Sequence, residues 1–210
     1  MSTKTAKKFT MSEAGTKTSK ATKNRAFIYD LVLISVSAAL ITVCSWISIP
    51  LGPVPFTLQT LGILAVMLTI GGRRGTISVL VYLALGACGI PVFAGFKGGI
   101  TAFMGPTGGF LIGFVFAALV YWLFEKLIFK KLMTSTVKTL VFGLIGFLIF
   151  EVVMYTIGVI WFMTVYAAQT GPVGLVTVMG WCVFPFIIPD LVKMVIAAII
   201  GERASKLTKF

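Results

Sequence analysis

Long stretches of this 210-residue chain, among them 31–72, 75–96, 98–124 and 139–150, contain no charged residue. Each of the first three exceeds the roughly 20 apolar residues that take a helix across a bilayer. In hydrocarbon every backbone N–H and C=O must find its partner inside the protein, so helices and closed barrels are the two solutions. Runs this continuously apolar lack the alternation of a barrel strand. Charged residues are 11% of the chain, against about 25% in soluble domains. The chain therefore reads as an all-α integral membrane protein folded as one helical bundle.

Proline and glycine divide the runs. The segment SIPLGPVPF (48–56) places three prolines and a glycine within nine residues, which no helix continues through. The spacing predicts spans over 27–47, 57–70, 76–85, 109–129 and 139–166, and a last one ending near 205. The second and third are short for a full crossing, so tilt or partial insertion is expected of them. GGRRG (71–75) reads as a tight basic turn. The glycine-rich 86–109 reads as irregular backbone, which at membrane depth survives only where it is buried in protein or lines a wet cavity. Residues 1–25, rich in Lys, Thr and Ser, read as a disordered basic tail. Residues 26–206 form the six-helix membrane domain and 207–210 a short C-terminal tail.

Charge fixes the expected orientation. Of the 18 basic residues, 16 lie in the N-terminal tail, the 71–75 turn, the 125–138 linker and the C-terminal end. The loops 48–56, 86–109 and 167–174 together hold one, Lys97. By the positive-inside rule six spans then leave both termini cytoplasmic and the Pro/Gly-rich loops outside. The formal charge of +12 is thus topological signal and lipid-headgroup contact rather than a nucleic-acid footprint. Histidine is absent and Cys44, Cys88 and Cys182 are scattered, which leaves no ligand set for a metal and no disulfide framework. No GK[ST] follows the glycines of GPTGGF (105–110), so the chain carries no Walker A loop.

The remaining basic residue, Lys193, is the informative one. In PFIIPDLVKM (185–194), Asp190 and Lys193 are three apart and share a helix face. Either charge, unpaired at a bilayer centre, costs about 2.5–3.5 kcal/mol. Pro189 fits the first turn of a helix, which would put Asp190 at the favourable N-terminal dipole and leave 175–183 as outer loop or lead-in. The pair is read as one polar wall of a ligand site, against the alternative of a structural ion pair. Glu151, the other mid-span acid, is either a partner for Lys193 or a protonated side chain, and both a structural and a functional role stay open. GPTGGF offers backbone N–H donors at Thr107, Gly108 and Gly109 where the fourth span begins. SVSAA (35–39) sets small residues four apart, Ser35 and Ala39, with Ala38 adjoining. Such a face suits packing within the bundle or docking of a membrane partner. An enzyme would need a nucleophile with a base, a metal set or paired carboxylates, and only Glu151 with Asp190 approaches the last.

GPVPFTLQTLG (52–62), GGRRGTISVLVYLALGACGIPVFAG (71–95), GPTGGFLIGF (105–114) and the Asp190/Lys193 pair resemble the BioY family, from residue 27 onward. That family comprises the biotin-specific substrate-binding S components of energy-coupling factor (ECF) transporters. The resemblance implies a six-transmembrane-helix S-component bundle in the plasma membrane of a prokaryote. It implies biotin bound near the outer face, with Asp190 accepting from the ureido N–H groups, Lys193 meeting a ureido or carboxylate oxygen, and Phe93, Gln59, Thr107, Gly108 and Gly109 completing the site. Lys97 offers a second attraction for the carboxylate. It further implies a transmembrane T component and two cytoplasmic ATPase subunits as partners, with no cofactor and no catalysis in this chain. An S component for another small vitamin, and a solitary biotin transporter working without ATPases, are the alternatives.

Overall fold

The structure, a computed structural model, describes residues 3–129 and 136–208. Part of the 125–138 linker and part of the 207–210 tail lie outside the described residues. The charge-free runs are mostly helical, broken at 47–58 and over the connection that follows residue 87. Helix α1 covers Thr3–Trp46, α2 Gln59–Ile70, α3 Gly72–Ala87, α4 Thr101–Met104 and α5 Gly108–Phe124. Then follow α6, Thr136–Thr170, α7, Leu175–Cys182, and α8, Phe184–Thr208. Among the described residues, four stretches are long and apolar enough to cross a bilayer: Thr22–Trp46, Gly108–Leu127, Leu140–Thr170 and Leu175–Ala204. At 12 and 16 residues, α2 and α3 rise only about 18 and 24 Å. In the bundle α5 lies along α6, α2 along α8, and α1 along α3.

Three local features differ from the sequence expectation. Helix α1 is written from Thr3, so it runs through much of the stretch read as a disordered tail. Once an apolar span has nucleated a helix, each added residue costs little. The GGRRG segment is a turn only at Gly71, whose φ of 85° is glycine's preserve, and Arg73 and Arg74 lie in the first turn of α3. That helix start is closed by Glu125, whose Oε2 accepts from the Gly72 N–H at 2.7 Å. A carboxylate there also meets the positive end of the helix dipole. Arg74 pairs with Asp30 of α1 at 2.6 Å. Finally, α8 begins at Phe184, so Pro185 takes the first-turn position and Pro189 lies inside the helix. Asp190 therefore sits in the second turn rather than at the helix N-terminus, and 175–182 is a short helix rather than a loop.

The proline-rich 48–56 segment is pinned at both ends. Ser48–Ile49 pairs antiparallel with Phe56–Thr57, and the Leu58 N–H donates to the Ile47 carbonyl at 3.1 Å. The connection after α3 is tied to the same end of α1. The Trp46 indole N–H donates to the Pro91 carbonyl at 2.8 Å, and Trp46 stacks on Phe96 with centroids 5.1 Å apart. Both irregular segments are thus held over one end of the bundle, and both contribute to the cavity beneath.

Candidate binding site

That cavity has a volume of about 470 Å3 and is lined by the 53–60 segment, the 93–107 connection, α5, α6 and α8. The size falls within the roughly 300–1,000 Å3 of small-molecule sites. Its only charged groups on the buried side are Asp190 and Lys193, 6% and 5% exposed. The Lys193 Nζ donates to Asp190 Oδ1 at 2.8 Å, as the three-residue spacing dictates. Neighbouring elements hold the pair. Tyr155 of α6 donates its hydroxyl to Asp190 Oδ2. Thr60 of α2 accepts from Lys193 at 3.3 Å. The Phe56 ring lies under the ammonium, 4.1 Å from Nζ to centroid, a cation–π contact. A buried ion pair survives when further hydrogen bonds complete both partners, and here Tyr155 and Thr60 supply them.

The rest of the lining mixes apolar and polar side chains, with Phe93, Phe110, Phe114, Tyr155 and Phe186 as its aromatic members. Phe56 stacks near-parallel with Phe186, centroids 6.4 Å apart, and Phe110 meets Tyr155 edge-on. Phe93 is 3% exposed and wedged edge-to-face between Tyr82 and Phe103, each 5.5 Å away. The wedge depends on Gly86, where a Cβ would run into the Phe93 ring. Gln59 faces the cavity while its amide donates to the Tyr82 hydroxyl at 3.0 Å, which in turn donates to Ser45 at 3.1 Å. This relay fixes one rotamer of Gln59. Lys97 lines the cavity from its exposed side.

The expected site residues divide. Asp190, Lys193, Gln59, Phe93 and Thr107 all line the cavity. Gly108 and Gly109 do not. A Cβ on Gly109 would collide with Trp161 of α6, and one on Gly108 with the Phe103 backbone, so both glycines serve the close approach of neighbouring backbone and side chains. Trp161 is itself fixed by donating to the Gly105 carbonyl at 3.1 Å. On α1, Ser35 and Ala39 face outward, whereas Ala38 is 2% exposed and belongs to the core. Ala38 therefore cannot be part of a docking face. Sequence reasoning passed over Tyr155, Thr60 and Phe56, neutral residues in apolar runs. Tyr155 had one available signal: it lies four residues, one helical turn, beyond Glu151.

A helical membrane protein enclosing a partly aromatic cavity with one buried ion pair has the architecture of a binding protein for a small molecule with a polar head. The comparisons agree. The BioY family model matches residues 11–210. A biotin transporter of Thermotoga maritima is 38% identical over 177 residues, covering 84% of this chain and 96% of the relative. A probable biotin transporter of Pyrococcus horikoshii is 38% identical over 174 residues, covering 83% and 94%. Among solved structures, the S-component for biotin from an ECF-type ABC transporter superposes with a TM-score of 0.73 at 30% identity, covering 87% of this chain and 94% of that one. The chain belongs to the BioY family.

Proposed function

We propose that this chain captures biotin and serves as the substrate-specificity subunit of an ECF-type transporter. The observation that carries the reading is the Asp190/Lys193 pair, completed by Tyr155 and Thr60, on the buried side of a cavity of about 470 Å3. The names of the relatives, biotin transporters, and of the solved S-component for biotin support the choice of ligand. Biotin's ureido group offers two N–H donors and a carbonyl. Asp190 accepts from the former, and Lys193 donates to the latter. Charge-assisted hydrogen bonds in a dry site are the strong ones. The thiophane ring lies against Phe93 and Phe56. The valerate carboxylate points toward the exposed side, where Lys97 meets it. Gln59 and Thr107 complete the lining, and Gly108 and Gly109 contribute by packing.

The wider arrangement follows the same reading. Six spans, α1, α2, α3, α5, α6 and α8, form the membrane domain of residues 26–206 in a prokaryotic plasma membrane, with both termini cytoplasmic. A transmembrane T component docks on the outward small-residue face of α1 at Ser35 and Ala39. Two cytoplasmic ATPase subunits hydrolyse the ATP that reorients this subunit and releases biotin inside. The chain acts as a transporter subunit, not as an enzyme. Calorimetric titration of the detergent-purified, folded protein tests the reading. Saturable binding of one biotin per chain, uncompeted by other vitamins, is expected. Preferential binding of another vitamin would assign a different cargo, and absence of biotin binding would refute the proposal.

A further inference from the structure

Glu151 is 6% exposed, and neither carboxyl oxygen has a hydrogen-bond partner. A buried polar group of this kind is costly and asks for a reason. Its position supplies one. Helices α6 and α8 run antiparallel: Phe162 and Tyr166 meet Trp181 of α7, just before α8 begins, Tyr155 meets Asp190 of α8, and Gly143 and Gly201 both pack on Leu68 of α2. Glu151 lies one turn, about 6 Å, along α6 from Tyr155 on the same face. Lys193 lies three residues, about 4.5 Å, along α8 from Asp190 in the same direction. Glu151 and Lys193 are therefore level across the helix interface, and the Glu151 carboxyl is within electrostatic reach of both Lys193 and Asp190. The ammonium has three donors. Asp190 and Thr60 take two; among the described residues the third has no hydrogen-bond acceptor, and the Phe56 ring lies 4.1 Å from Nζ.

We propose that Glu151 is a second seat for the Lys193 ammonium, used when ligand occupies Asp190. This rests on the biotin reading above. In the unliganded protein Lys193 covers Asp190 Oδ1, the oxygen a ligand N–H must reach. Ligand binding displaces the ammonium from that oxygen, and a buried ammonium needs another anionic partner. Glu151, level with it, supplies one, while a second ammonium N–H turns to the ligand carbonyl. One ion pair is exchanged for another, and a proton held by the unpartnered Glu151 carboxyl leaves to water as the ammonium arrives. Glu151 is thus a positioning residue, acting on the ligand through Lys193.

The test is biotin titration of detergent-purified Glu151→Gln and Glu151→Asp beside the parent, with unfolding temperatures measured without ligand. Gln keeps the volume and removes the charge. It is expected to weaken biotin binding about ten-fold while leaving the ligand-free unfolding temperature at or above that of the parent, since it removes an unpartnered buried carboxyl. Asp is expected to recover most of the affinity. Parental affinity in Glu151→Gln overturns the proposal, as does equal weakening by Gln and Asp. Should Glu151→Gln fail to fold, Glu151→Leu decides: weakened binding in folded protein supports the seat, whereas parental affinity or a second failure to fold overturns it. Failure of the parent itself to bind biotin would instead refute the proposed function.

Discussion

Replacing Asp190 by Asn separates what the carboxylate does for ligand from what it does for the fold. Asn keeps the volume and one acceptor oxygen but removes the charge from a group that Lys193 approaches at 2.8 Å and Tyr155 donates to. Lys193, 5% exposed, keeps Thr60 at 3.3 Å and the Phe56 ring but loses its paired carboxylate. Breaking a buried pair from one side costs about 3–5 kcal/mol, and the surviving contacts place this case toward the lower end. For the ligand, a hydrogen bond to a charged acceptor is worth about 1.5–3 kcal/mol, so biotin affinity should fall about ten-fold or more, at roughly 1.4 kcal/mol per decade. Two assays read the two effects: the unfolding temperature without ligand, and the Kd from titration. The double variant Asp190→Asn/Lys193→Met then removes the orphaned ammonium. Stability should return toward the parent while affinity stays low. Parental biotin affinity in folded Asp190→Asn would return the pair to a purely structural role and refute the reasoning.

Other outcomes follow from the same geometry. Tyr155→Phe removes the hydroxyl that donates to Asp190 and should weaken biotin binding, by titration, about ten-fold on the scale of one charge-assisted bond. Gly109→Ala drives a methyl into Trp161, and should lower thermal stability by about 1–3 kcal/mol through overpacking. Ala39→Leu, on the outward face of α1, should spare biotin binding but abolish co-purification with a T component, whereas Ala38→Leu, 2% exposed in the core, should lower the unfolding temperature of the isolated subunit.

Elements governed by local chemistry were readable from the chain alone. Charge-free runs dictate helices, and SIPLGPVPF and the 86–109 glycines interrupt them, because helical hydrogen bonding and backbone sterics act over a few residues. Asp190 and Lys193 stood out because charge is costly in hydrocarbon, and a three-residue spacing fixes their mutual contact. Thr60 was invisible because nothing local marks a Thr in an apolar run, and Tyr155 was marked only by its place one helical turn from Glu151. Their contacts with the pair span 35 and 133 residues and exist only once α2, α6 and α8 pack. Whether Gly108 and Gly109 serve packing or a ligand likewise depended on distant residues. A glycine beside a helix start looks like a ligand cradle until Phe103 and Trp161 are seen to fill the space. Ala38 fell to a rotation: adjacent positions on a helix point about 100° apart, so Ala39 faces outward while Ala38 faces the core. The last helix was expected to begin between Phe184 and Pro189, since Pro185 and Pro189 both suit a first turn, and the packed helix begins at Phe184.

A structure of the protein with biotin bound tests the central claim most directly. The account predicts a ureido N–H on the Asp190 carboxylate and the ureido oxygen at Lys193 Nζ, at hydrogen-bond separations of about 2.7–3.2 Å, with the carboxylate toward Lys97. Biotin outside this cavity, or reversed so that its carboxylate meets Lys193, would contradict it.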